Sequence, residues 1–280
     1  MRLNQFALRK HTTCLAGILV FLLWSVSVAG SENLAIEPTV EQVTCAPSRT
    51  VHGRFRVTNQ SDERAVVIVE PEDWLARWKV SGALHLKDWL QVKPDRFTLG
   101  PGASCWVKYR VTVPQDASGE LMAMLFFSSQ SDADRKSSLR IKTRIGVSLC
   151  VFVEGTQKYN AEIEKIEASR KKDTLSIVVV VRNLGNFHIK PKGVALIVTS
   201  DGQDVAEFEI QPRAVYPGSK RGLVGYHTFS DLASGIYQTR VELEVELPGG
   251  QVKNLAGEQW FEISESSVEP ITEPVNDTNE

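Results

Sequence analysis

Apolar and polar residues alternate along most of this chain with a period of two. The alternation is clearest between Leu139 and Val153. Leu139, Ile141, Ile145, Val147, Leu149, Val151 and Val153 share one phase, and Arg140, Lys142, Arg144 and Ser148 take the other. Such a run predicts a strand with one dry and one wet face, because successive side chains of a strand point to opposite faces. Runs of this kind predict strands at 35–43, 51–58, 64–70, 96–99, 104–113, 121–128 and 139–153. A second set falls at 161–169, 174–182, 193–199, 204–210, 220–228, 236–247 and 251–263.

The two sets carry the same punctuation. Pro101-Gly102-Ala103-Ser104 is followed by a strand-like run and then Ala117-Ser118-Gly119-Glu120; Pro217-Gly218-Ser219-Lys220 is followed by another run and then Ala233-Ser234-Gly235-Ile236-Tyr237. Gly102 and Gly119 are 17 residues apart, as are Gly218 and Gly235, and upstream of each pair a β-rich segment ends in asparagine, Asn59 and Asn183. A repeat of this kind predicts two copies of one all-β unit, each an immunoglobulin-like sandwich of about seven strands. The expected boundaries are 31–156 for the first and 157–265 for the second. Tyr237 stands where a tyrosine corner or a simple core residue fits equally well. Trp74, Trp78 and Trp89 lie in a stretch between Glu70 and Pro94 that the second copy lacks. They suit either a cap on the open end of the core or an aromatic binding platform.

Composition adds compartment and partners. Arg2, Arg9 and Lys10 precede the uncharged apolar run Leu15 to Ala29, which ends in the small residues Ser27-Val28-Ala29-Gly30. This is the pattern of a cleaved signal peptide over 1–30, and the run is shorter than the roughly 20 residues a spanning helix needs. A periplasmic or secreted protein without stable membrane insertion is the expectation. Beyond residue 30 there are 29 basic and 34 acidic residues, a net charge of −5. That balance disfavours nucleic acid, whose backbone demands a basic surface. Residues 266–280 are acidic, contain two prolines and are expected to be disordered.

Reactive chemistry is sparse. The exported chain keeps Cys45, Cys105 and Cys150. Cys105 shares the phase of Val107 and Tyr109 and reads as a buried thiol, whereas Cys45 and Cys150 form a possible disulfide if the first and last strands of the first unit are neighbours. His52, His85, His188 and His227 each lack a nearby histidine or cysteine at ligand spacing, so no metal site is expected. Nucleophile elbows and phosphate loops are absent, and Asn183-Leu184-Gly185-Asn186-Phe187-His188 reads as a turn between strands. Glu242, Glu244 and Glu246 alternate with Val241, Leu243 and Val245 as a solvated sheet face. No enzyme, catalytic residue or cofactor is expected.

Several segments occur in a telling order: Ile36-Glu37-Pro38-Thr39, Arg56-Val57-Thr58-Asn59, Trp89-Leu90-Gln91-Val92-Lys93-Pro94, Leu99-Gly100-Pro101-Gly102, Val111-Thr112-Val113-Pro114 and Ile141-Lys142-Thr143-Arg144-Ile145. In this order and spacing the first unit resembles the N-terminal domain of the PapD-like periplasmic pilus-assembly chaperones. The resemblance implies that the last strand of the first domain is lent to a fibre subunit, with Leu139, Ile141, Arg144 and Ile145 as partner-binding residues. It also implies two basic residues in the interdomain cleft that grip the subunit's C-terminal carboxylate. Here Leu34 to Val43 contains no Arg or Lys, and Gly146 stands where the second basic residue is expected, with Arg144 the nearest substitute. The family's acidic-arginine-glutamate signature is reduced to Ser118-Gly119-Glu120. Two function classes follow from the sequence: an exported chaperone-like protein binding envelope or surface-fibre subunits by strand pairing, or a non-enzymatic structural or adhesion module of two sandwiches.

Overall fold

The computed structural model describes residues 34–73, 86–131, 143–229, 232–264 and 268–271. These form seventeen strands and one 3-10 turn, Leu86–Trp89, among the described residues. No helix there is long and apolar enough to cross a membrane.

The first domain packs two sheets face to face. One has the order β1 (Leu34–Glu37), β3 (Thr50–Asn59), β7 (Ser104–Thr112), β5 (Leu90–Lys93); the other runs β2 (Val40–Cys45), β9 (Thr143–Val153), β8 (Glu120–Ser131), β4 (Ala65–Asp73), β6 (Arg96–Leu99). The single strand expected at 35–43 is therefore two. At Pro38, which brings no N–H to a ladder, the chain leaves the first sheet and joins the second. Between the sheets, Phe55 meets Tyr109 with centroids 5.5 Å apart and Phe127 edge-on at 6.2 Å. The Tyr109 hydroxyl donates to Glu41 Oε1 at 3.0 Å. Within the 70–94 stretch, Leu86 and Leu90 enter this core; Trp74 and Trp78 lie outside the described residues.

The second domain repeats the plan. A three-stranded sheet, β10 (Ala161–Lys171), β11 (Thr174–Asn183), β14 (Lys220–Thr228), faces a five-stranded one. The latter has the order β13 (Asp204–Ile210), β12 (Lys192–Thr199), β15 (Gly235–Glu246), β16 (Val252–Ile263), β17 (Val268–Ile271). Its core alternates as the sequence does. Leu175, Ile177, Val179 and Val181 point inward from β11, and Val241, Leu243 and Val245 from β15, while Glu242, Glu244 and Glu246 face solvent. Tyr237 does both things expected of it: it stacks on Phe261 at 6.0 Å and donates its hydroxyl to Ala233 O at 3.0 Å. The acidic tail, expected to lack structure, opens with β17, which pairs antiparallel with β16; Pro270 is accommodated because β17 is an edge strand.

The repeated punctuation is one device built twice. Asn59, buried at the end of β3, donates from Nδ2 to Glu63 O, Leu99 O and Gly100 O, and its Oδ1 accepts from Ser61. Asn183, buried at the end of β11, donates to Phe187 O and Val215 O and accepts from Gly185 N–H. In each copy the turn glycine closes on that asparagine's carbonyl at 2.9 Å, Gly102 on Asn59 and Gly218 on Asn183. Both glycines have positive φ, 67° and 70°, which explains why glycine recurs at these two points.

Candidate functional site

Two features of the first domain stand out: an incompletely covered strand edge and a polar joint to the second domain. Both lie on β8 and β9.

β9 pairs antiparallel with β8 from Thr143 to Phe152, but its other side is covered only in part. β2 runs parallel to it over Ser148–Val153, starting with Val40 opposite Ser148. Among the described residues, Thr143 to Val147 have no strand on that side. The direction of the free groups follows from the ladder. Ser148 N–H donates to Thr39 O and Glu154 N–H to Cys45 O, whereas Val153 N–H turns to Gly119 O. Even-numbered residues therefore present their main-chain groups away from β8, so Arg144 and Gly146 carry the N–H and C=O groups of the open edge. An edge of this kind is a template for a further strand.

The sequence-derived partner residues are placed as follows. Leu139 and Ile141 lie outside the described residues. Ile145 is half-buried against the domain's own core, in phase with Val147 and Leu149. Arg144 is exposed but engaged. Its guanidinium stands 3.7 Å above the centroid of the Phe126 ring and pairs with Glu72 of β4. Gly146 makes room for that ring, since a Cβ there would sit 2.9 Å from Phe126 Cε1. Arg144 is thus held on its own sheet by an aromatic face and a carboxylate.

The joint is made by residues the sequence left apart. Gly119, with φ 74°, ends the turn before β8, and the adjacent Glu120 N–H donates to Asn186 O of the second domain at 3.0 Å. A Cβ on Gly119 would lie 2.1 Å from that same oxygen. The Glu120 side chain, fully buried, accepts from the His188 main-chain N–H at 2.7 Å, and each carboxylate oxygen lies 2.7 Å from His188 Nδ1. Nδ1 therefore carries a hydrogen, and Nε2 faces Gln42 Nε2 at 3.5 Å. Phe152 packs beside it, with centroids 6.4 Å from Phe187 and 6.0 Å from His188. The reading of Asn183 to His188 as a turn between strands is correct in conformation but incomplete, because this turn is the second domain's docking surface.

Cys150 joins the same cluster. Its thiol is buried and pushed well above its ordinary pKa, first by that burial and then by the Glu120 carboxylate. The disulfide considered for Cys45 and Cys150 is not formed, and both are free. The strands are neighbours as that pairing required, but the register sets Gln42 opposite Cys150 and Val153 opposite Cys45. Cys45 points into the core while Cys150 points to the outer face, toward His188. Cys105 is also free and only half-buried.

Between the sandwiches lies a cleft of about 590 Å³, bordered by Gln42, Thr44 and Phe152 on one side and His188, Lys190 and Lys192 on the other. Its basic residues come from the second domain, not from the first-domain strands where the resemblance placed them.

No protein-family model and no curated protein sequence matches the chain. In structure it is similar to the YadV chaperone, at 13% identity and TM-score 0.45 over 81% of this chain and 98% of that one. It is also similar to the class 5 fimbriae chaperone CfaA, at 14% and 0.46 over 80% and 99%. A third similarity is to a Salmonella enterica SafA pilin in complex with the SafB chaperone, at 12% and 0.43 over 81% and 96%.

Proposed function

We propose that this chain is an exported, non-enzymatic chaperone-like protein that holds a partner by pairing one of the partner's strands with the open half of β9. The observation that carries the reading is the short reach of β2, which covers Ser148–Val153 and leaves Thr143 to Val147 with one free side among the described residues. Strand addition to such an edge draws affinity from main-chain hydrogen bonds and selectivity from alternate side chains. Ile145 is then the described apolar residue at the edge, and Leu139 and Ile141, outside the described residues, share its phase in the sequence. Arg144 contributes through its main chain, because its side chain is committed to Glu72 and Phe126. The partner class, subunits of the envelope or of a surface fibre, is that of the family the sequence resembles. Export rests on the pattern of residues 1–30.

Residue-resolved hydrogen exchange tests the reading. In the free protein, the amides of Arg144 and Gly146 should exchange rapidly while those of Ile145 and Val147 are protected by β8. In the complex retrieved from the protein's own envelope, Arg144 and Gly146 should become protected. Slow exchange of both in the free protein overturns the reading. A bound partner that leaves them unprotected overturns it too and favours a module that binds through other surfaces.

A further inference from the structure

The joint between the domains gathers three side chains whose chemistry is that of a metal site. The Glu120 carboxylate, the Cys150 thiol and the His188 imidazole come from β8, β9 and the turn before β12, and their ligand atoms all lie within 4.8 Å of one another. Glu120 and Cys150 are buried and the His188 side chain is only 15% exposed. We propose that Glu120, Cys150 and His188 form a site for a thiophilic divalent cation, zinc in class, that bridges the two domains.

Charge supports this. A carboxylate fully removed from water is costly unless a positive charge accompanies it, and a cation held at this cluster would supply one. A divalent cation with one carboxylate, one thiolate and one neutral imidazole makes a neutral set. Thiolate, imidazole and carboxylate are the ligand types zinc takes, and three protein ligands leave a fourth position for water. Loading then balances as follows. Cys150 loses its proton to solvent, the His188 proton moves from Nδ1 to Nε2, and Nδ1, Cys150 Sγ and a Glu120 oxygen bind the cation. Gln42, 3.5 Å from Nε2, turns its amide so that the carbonyl oxygen accepts the relocated proton and orients the ring. This site stands independently of the strand-pairing function.

Titration of the metal-free protein with Co²⁺ tests the proposal, because thiolate ligation gives an intense near-ultraviolet charge-transfer band. One Co²⁺ per chain with that band, displaced by Zn²⁺ and accompanied by release of one proton, is the expected result. The isosteric change Cys150→Ser should abolish the band, and His188→Gln should weaken binding at least tenfold even where Cys150→Ser fails to fold. Gln42→Ala should weaken it by about tenfold, as loss of a ligand-orienting partner does. Absence of the band, its persistence in Cys150→Ser (which would place the metal on Cys45 or Cys105), or an affinity undiminished in His188→Gln overturns the proposal.

Discussion

Replacing Gly119 by alanine isolates the contribution of the interdomain joint, because the same replacement at Gly102 supplies an internal control. Both glycines have positive φ, 74° and 67°. In both, alanine pays the left-handed penalty of roughly 1–2 kcal/mol. There the similarity ends. A Cβ at Gly102 meets nothing within 4 Å, whereas at Gly119 it would sit 2.1 Å from the main-chain oxygen of Asn186. Backbone cannot turn away as a flexible side chain does, so the second domain must retreat. It then gives up the Glu120 N–H to Asn186 O bond, worth about 0.5–1.5 kcal/mol, and the fit of the buried Glu120 against His188 is strained. Gly119→Ala should therefore lose roughly 2–3 kcal/mol or more and Gly102→Ala about 1–2 kcal/mol. In Tm the gap between the two variants is at least about 2–4 °C. Scanning calorimetry measures the loss, and small-angle scattering should register a changed domain disposition for Gly119→Ala alone. Equal losses at the two positions, with unchanged scattering, would refute the idea that this glycine sets the distance between the domains.

Two further outcomes are expected. Asn59→Ala and Asn183→Ala should each cost roughly 2–4 kcal/mol in urea unfolding, since each strips two or three main-chain carbonyls of their donor; a loss below about 1 kcal/mol in both would show that water replaces the amide. Tyr109 has its phenol pKa raised, first by burial and then by its bond to and the charge of Glu41. Its contribution to stability is complete below the ordinary tyrosine pKa of about 10 and is lost as pH rises toward the higher folded-state value. Tyr109→Phe should thus be slightly less stable at neutral pH, for want of the Glu41 bond, and lose less than the native protein in unfolding measured above pH 10.

The sequence made strands legible wherever burial alternates. β9, β11 and β15 were readable because their inward residues are Val, Leu and Ile and their outward ones charged or small, and the asparagine and glycine repeat disclosed two domains. β5 was missed because Leu90 to Lys93 is too short for a period to register, and β17 because Val268–Ile271 sits in acidic, proline-bearing surroundings. The edge on β9 was half visible. Its alternation marked a strand, but nothing local says that β2 stops covering it at Ser148, since that depends on where the chain changes sheets at Pro38. The joint was illegible for the same kind of reason. Gln42, Glu120, Cys150 and His188 are widely spaced along the chain and meet only when two sandwiches dock. Glu120 did carry a trace, as the surviving glutamate of the family signature, and His188 as part of a turn richer in Gly and Asn than a plain connection requires.

The early end of β2's coverage also works as a measure of length. Five described residues at about 3.3 Å each give an open edge of roughly 17 Å. A visiting strand that runs parallel to β9 meets the start of β2 at Val40 when that distance is used up. It must stop there, bend out of the sheet, or displace β2 from Ser148 onward. On the proposed strand-pairing reading, strand length is therefore tested before any side chain is read, because a longer parallel strand can advance toward the joint with the second domain only by displacing β2.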